Sequence, residues 1–328
     1  MRKLLWLTAL AAIFYGGYWF VGSRAVLSGV ETALADLRAE GIADVASVSL
    51  AGFPSRFDVT LTEPRLTSVD GKTSWQAPFV QFFALSYRPN HLIAVWPHAQ
   101  TIRLGPETLT VHSSDLRASA NFTAGLSLPL EKATLEGHGL TLSSNFGWSV
   151  LAEKLILAAR RSEQGAASHE LALAIDGLAP GDDLRKVIDP TARHPATADA
   201  ARAALVVDFD RPVDRTLTET PLHITAFRTI DAHLKWGDMV LTATGDIRVD
   251  PAGYPAGRIE ISATNWRDIL ALFVDGGALE PDLARTYAAG LAAIAKGAGD
   301  ADVLKMPILF ADRSVWLGPF LIGPAPRF

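Results

Sequence analysis

Phe79 to Tyr87 reads FVQFFALSY, and its apolar side chains alternate instead of recurring every three or four residues. Phe79, Phe83, Leu85 and Tyr87 share one parity with Gln81, and Val80, Phe82 and Ala84 share the other. A period of two in an aromatic-rich run is a β-strand, because successive side chains point to opposite faces of the pleat. With apolar residues on both sides, this strand must be covered on both. A C-terminal helix pair is the expected cover, and a groove holding an acyl chain is the other candidate, formed by Phe79, Phe83, Leu85 and Tyr87 or by the opposite set Val80 and Phe82.

The same period extends outward in both directions. Val48/Leu50 and Phe57/Val59/Leu61 alternate before it, punctuated by Gly52-Phe53-Pro54, Glu63-Pro64, Asp70-Gly71 and Arg88-Pro89-Asn90-His91. After it come candidate strands at 92–96, 100–104, 108–112, 116–122, 133–142, 148–158 and 169–178. Connections this short leave no room for crossover helices, so neighbouring strands are antiparallel and form a meander. Gly52 and Pro54 are expected to set a turn that holds the flanking strands in register, since a slip of one residue turns every apolar side chain to the wrong face.

The segment 179–201 is rich in Pro, Gly, Asp and Ala, with room for a short helix at Asp182–Ile188, and reads as a hinge or boundary between halves 25–178 and 203–328. Strands resume at 204–209, 224–236, 240–249 and 258–264. Two amphipathic helices are expected at Trp266–Val274 and Pro281–Lys296, the second started by Pro281, followed by strands at 303–310 and 314–317. The predicted fold is mainly β with minor α, an extended, curved antiparallel meander sheet. An N-terminal transmembrane helix, a juxtamembrane helix and the C-terminal helix pair accompany it.

That anchor is LLWLTALAAIFYGGYWFV, Leu4 to Val21, uncharged throughout and preceded by Arg2 and Lys3. At 1.5 Å per residue it spans about 27 Å, close to the thickness of bilayer hydrocarbon. Trp6 at one end and Tyr15, Tyr18 and Trp19 at the other suit the two interfaces. A cleaved signal peptide is disfavoured because no small-x-small site follows Val21. The positive flank keeps the N-terminus cytoplasmic, which places residues 25–328 on the far side of the membrane, with 1–24 as tip and anchor. Ala25 to Glu40 carries Leu27, Val30, Leu34 and Leu37 on one helical face, packing on the sheet, and Gly41 suits a left-handed stop.

Composition narrows the function. Without Arg2 and Lys3, 28 of the 30 basic residues face 35 acidic ones, so a nucleic-acid role is disfavoured. With no cysteine, disulfides and thiolate chemistry are excluded. No hydrolase elbow, zinc-protease or phosphate-loop motif occurs. Asp208-Phe209-Asp210 matches Asp-x-Asp formally, but acids flanking a buried Phe on a strand explain it better. The eight histidines are scattered, with His91 and His98 the least implausible pair. No catalytic residue, metal or cofactor is expected.

GFPSRFDVTLTEPRL at Gly52–Leu66, with Trp75-Gln76-Ala77-Pro78, Tyr87-Arg88-Pro89-Asn90-His91, Trp96-Pro97, Leu116-Arg117-Ala118-Ser119, Leu317-Gly318-Pro319 and Gly323-Pro324-Ala325-Pro326, resembles an uncharacterised family of alphaproteobacterial envelope proteins, domain-of-unknown-function family 2125. The resemblance implies an N-terminal anchor and a periplasmic body, and no assigned activity. More distantly, anchor plus meander is similar to AsmA-type envelope proteins, whose curved sheets form an apolar groove. The expected function is therefore non-enzymatic: binding or conducting lipid, or supporting envelope assembly, through an apolar sheet face. The alternative is a scaffold without a ligand. The chain should remain in the membrane pellet, and protease added to spheroplasts should degrade its body. A mature N-terminus near Ala25 would remove the anchor.

Overall fold

The computed structural model describes residues 1–328 except Glu219, Ala278 and Ala298. Its first element is one unbroken helix, α1 (Arg2–Ala39), which joins anchor and juxtamembrane helix into a single rod. This helix is long and apolar enough to cross a membrane, and its outward residues from Leu4 to Phe14 are exposed. Gly41 (φ 73°) ends it: the Gly41 N–H donates to the Arg38 carbonyl and the Ile42 N–H to that of Leu37, satisfying two otherwise orphaned acceptors. Gly16, Trp19, Ser23, Val26, Val30, Leu34 and Leu37 form its covered stripe.

Ten strands follow: β1 (Ala43–Asp44), β2 (Ser47–Ala51), β3 (Arg56–Thr62), β4 (Arg65–Thr67), β5 (Thr73–Gln76), β6 (Phe79–Leu85), β7 (Arg88–Val95), β8 (Ala99–Leu104), β9 (Glu107–His112) and β10 (Asp115–Phe122). The middle of the chain holds β11 (Leu130–Ser144), β12 (Ser149–Arg161), β13 (Ser168–Asp176), β14 (Ala179–Pro180), α2 (Asp182–Ile188) and β15 (Ala200–Phe209). Then come β16 (Ile224–Trp236), β17 (Met239–Val249), β18 (Pro255–Thr264), α3 (Trp266–Asp275), α4 (Pro281–Gly297), β19 (Val303–Ala311), β20 (Ser314–Leu317) and β21 (Phe320–Pro324). All these strands belong to one antiparallel sheet.

The early strands are the halves of longer ones. On one side the order is β2-β3-β6-β7-β10, on the other β1-β4-β5-β8-β9, and β11 pairs with both β10 and β9 in one continuous register. The breaks fall side by side, at Ala46, Glu63-Pro64, Ala77-Pro78, Pro97-His98, Ser113-Ser114 and Gly139, so a crease crosses the sheet. Its cause is local. Pro64 and Pro78 have no N–H to give the ladder, and Glu63 (φ 48°) and Gly139 (φ 54°) take the left-handed backbone. Glu63-Pro64, expected as a turn, is part of this crease. Arg88 to His91, also expected as a turn, opens β7, and the reversal lies at Ser86-Tyr87.

Beyond β11 the sheet is a plain meander through β12, β13, β15, β16, β17, β18, β19, β20 and β21. The Pro/Gly/Asp/Ala-rich segment leaves the sheet after β13 and returns as its direct neighbour, with Ser168 opposite Asp208 and Ile175 opposite Ala201. It therefore makes an excursion carrying β14 and α2, and the sheet runs on without a gap.

Gly52 sits at φ 102° in the turn between β2 and β3, where an added Cβ would lie 2.7 Å from the Arg56 carbonyl oxygen. Gly52→Val should cost about 1–3 kcal/mol in denaturant unfolding, from the strained backbone and the clash. Lys72→Ala, on an exposed turn, should stay within about 0.5 kcal/mol of wild type. Equal midpoints for both variants would disprove the role of this turn.

Candidate functional site

The register assigns every strand residue to a face, and the two faces differ in chemistry. From β10 to β19 one face carries Leu116, Leu135, Leu155, Leu157, Leu171, Leu173, Leu205, Val207, Phe227, Ile247, Ile259, Ile261 and Met306. The other carries Arg117, Glu136, Lys154, Arg160, Glu170, Asp176, Arg202, Asp208, Arg228, Arg258 and Glu260. Most pair across strands, Glu136 with Arg117 (3.5 Å) and Lys154 (3.6 Å), Arg160 with Glu170, Arg202 with Asp176 and Arg228 with Asp208, while Arg258 pairs with Glu260 on its own strand. One face is built for water and the other to avoid it.

Among the described residues, helices cover the apolar face at its flanks, and α2 adds contacts to β12. At one end α1 packs on β1, β2 and β3, with Trp19 stacked 6.2 Å from Phe57 and Gly22 leaving room for the Phe57 ring. At the other, α3 and α4 pack on β17 and β19 around Ala263, Trp266 and Ala295, joined by Leu241, Ile269, Leu291 and Leu304. Between the flanks, Leu135, Leu155, Leu171, Leu173 and Leu205 are only half-buried and Leu157 is 41% exposed. Lateral neighbours in a sheet shield a side chain about that far; a layer packed above would finish the burial. This stretch is an open apolar floor.

At the far flank the floor deepens into a pocket of about 430 Å³. Leu234, Trp236, Met239 and Leu241 form its base, and Ile188, Ile269, Leu272 and Phe273 its walls. Its size and almost wholly apolar lining suit a small lipophilic ligand. An ion pair between Arg193 and Asp275 ties the chain after α2 to the end of α3, and the Trp236 Nε1–H donates to the Pro195 carbonyl at 2.8 Å. Asp189 braces the same loop by accepting from the backbone N–H groups of Arg193 and His194, each at 3.0 Å. Burial pushes its carboxyl up, but those donors outweigh it and hold it below the usual range.

The residues singled out in the sequence are divided by this geometry. Phe79, Phe83 and Leu85 lie on the face of Asp58, Thr60 and Gln81, with the Arg56 guanidinium 6.0 Å from the Phe83 ring centroid. Tyr87 is beyond the strand, in an exposed turn. Val80 and Phe82, the opposite set, share the apolar face with Phe57, Val59 and Leu61, where α1 provides cover at the flank. The C-terminal helix pair lies elsewhere, over β17 and β19. The pocket residues escaped the sequence reading because Leu234/Trp236 and Met239/Leu241 alternate like any other strand, and only pairing brings α3 above them.

Asp208 accepts from Arg228 (2.5 and 2.7 Å) and from the Ser168 hydroxyl (2.6 Å), a structural role that leaves Asp-x-Asp as a coincidence of strand spacing. His98 Nδ1 lies 2.9 Å from the Ser113 carbonyl, and His169 is buried with Nε2 3.3 Å from the Leu130 carbonyl. Among the described residues, no three His, Asp or Glu side chains converge as a metal-binding group.

The family described as "Uncharacterized protein conserved in bacteria (DUF2125)" matches residues 19–326, from the middle of α1 to the end of the sheet. The chain belongs to this family. Among curated proteins and solved structures nothing matches, and the more distant likeness to AsmA-type proteins finds no support there. The DUF2125 match leaves out most of the apolar end of α1 and covers the whole sheet, both flanks and the pocket.

Arg228 and Ser168 hold the Asp208 carboxyl below the usual carboxylate range. A depressed folded value means that Asp208 stabilises the fold above its unfolded value of about 3.9, and that this contribution fades as pH falls through the folded value. Asp208→Ala should therefore melt below wild type at pH 7, and the difference should shrink as both are acidified below about pH 4. A difference unchanged by acidification would contradict the pairing.

Proposed function

We propose that this protein is a single-pass, inner-membrane-anchored periplasmic protein that binds lipid acyl chains along the apolar face of its sheet, without catalysis. The observation that carries this reading is the open floor of half-buried leucines between α1 and the α2–α4 flank. Membership of the family adds no activity, and the apolar half of α1 supports the membrane address. Each methylene taken from water is worth about 0.8 kcal/mol, so four or five held against the floor contribute about 3–4 kcal/mol with no charged anchor. The pocket between β16, β17 and α3 would receive a chain end.

Neighbouring positions on opposite faces make the reading testable. Leu171 stands opposite Leu205 on the apolar face, and Ala172 opposite Ala204 on the polar one. With benzoylphenylalanine placed at each of the four sites in the membrane-borne protein, irradiation in native envelopes should yield lipid adducts at 171 and 205 and none at 172 and 204. Leu173→Asp should reduce lipid recovered with the purified protein, because a carboxylate against an acyl chain is left without partners. Folded protein with no adduct at any site would replace the lipid reading by the scaffold.

A further inference from the structure

The apolar run of α1 is not free along its length. Tyr15, Tyr18 and Trp19 all reach the sheet: the Tyr18 hydroxyl donates to the Ser86 carbonyl at 2.6 Å, the Tyr15 and Ser86 hydroxyls are 3.1 Å apart, and the Trp19 Nε1–H donates to the Arg56 carbonyl at 2.7 Å. Trp19 and Phe20 also meet the Phe53 ring at 5.3 and 5.7 Å. The part of the run that is exposed throughout, ahead of these bonds, begins after Lys3 and ends at Phe14, eleven residues. Eleven residues rise about 16 Å, roughly half of a hydrocarbon core about 30 Å thick. If both turns stood in water, the anchor would be too short for the bilayer.

We infer that the turns at 52–55 and 86–87 are embedded in the leaflet on the body's side of the membrane, so that the sheet enters the bilayer edge-on beside its own anchor. Val21 lies about 9 Å along the helix from Tyr15, and a turn docked between them sinks about that far, the depth typical of interfacial segments. The turns are chemically ready for it. Phe53 is 57% exposed and Tyr87 62% exposed, both outside the sheet and pointing away from its core. Several of their backbone groups are satisfied without water. Arg56 N–H donates to the Gly52 carbonyl and Ser86 N–H to that of Ser55, Pro54 has no N–H, and the Arg56 and Ser86 carbonyls are taken by Trp19 and Tyr18. Arg56, paired with Asp58 at 2.9 Å, and Arg88 open β3 and β7, and both are exposed where lipid phosphates would be.

This inference rests on α1 crossing the membrane, and the absence of cysteine lets one experiment separate the two claims. Nitroxide labels on Phe53→Cys, Tyr87→Cys, Phe14→Cys and Val69→Cys report depth in the whole protein reconstituted into phosphatidylethanolamine–phosphatidylglycerol vesicles. Val69, 90% exposed between β4 and β5 at the opposite end of the strands, is the aqueous reference. The ratio of relaxation by oxygen to relaxation by an aqueous nickel chelate should be several-fold higher at 14, 53 and 87 than at 69. Values at 53 and 87 equal to that at 69, with 14 in lipid, overturn the embedding and leave the anchor; an aqueous value at 14 overturns both. Since the Tyr87 ring is mostly exposed, Tyr87→Cys decides the matter even if Phe53→Cys weakens packing on Trp19.

Discussion

A sheet one layer thick has two faces and only one can be watery. Among the described residues, twenty-one strands build one sheet with a broad apolar face, and the helices available to cover it are four, one of which is long and apolar enough to cross a membrane. The cover therefore runs out. It is placed where the gain is greatest, at the first strands and at β17 to β19, and the middle is left to its own side chains. Fully burying a leucine instead of exposing it is worth about 1.5–3 kcal/mol, so a row of half-buried ones holds unspent affinity for any apolar chain laid across it.

The polar face answers the same constraint. Several of its charges pair across strands, as Glu136 does with Arg117 and Lys154. Exposed pairs of this kind add little stability each. Their value lies in register: a slip of one residue would set leucine against water and arginine against the apolar floor. Together the two faces specify the pairing more strongly than either alone.

Attachment to the helix decides how this sheet is presented. α1 docks on the apolar face at β3 and on the turns below it through Tyr15, Tyr18 and Trp19. The apolar floor begins beside that docked helix. The crease, formed where Pro64 and Pro78 interrupt the ladder, lies at the far end of the first strands and separates this region from the halves β1, β4, β5, β8 and β9.

Much of the architecture was legible in the chain itself. Alternation from Val48 onward gave the strands, Gly41 the helix stop, the Leu4–Val21 run the long apolar helix, and Trp266 and Pro281 the starts of the last helices, because periodicity, capping and hydropathy act over a few residues. What required the tertiary structure was every decision made across strands. Glu63-Pro64 looks like any turn until its neighbours are found broken at the same level, and the proline-rich excursion looks like a boundary until β13 is seen beside β15. FVQFFALSY shows two apolar parities but not which of them α1 will shield, and Phe79, Phe83 and Leu85 proved to lie among polar neighbours. Nor could the run of Tyr15, Tyr18 and Trp19 reveal that its tyrosines bind Ser86, 71 and 68 residues on, and its tryptophan Arg56, 37 residues on. Local sequence sets which way a side chain alternates; pairing and helix docking set what stands above it.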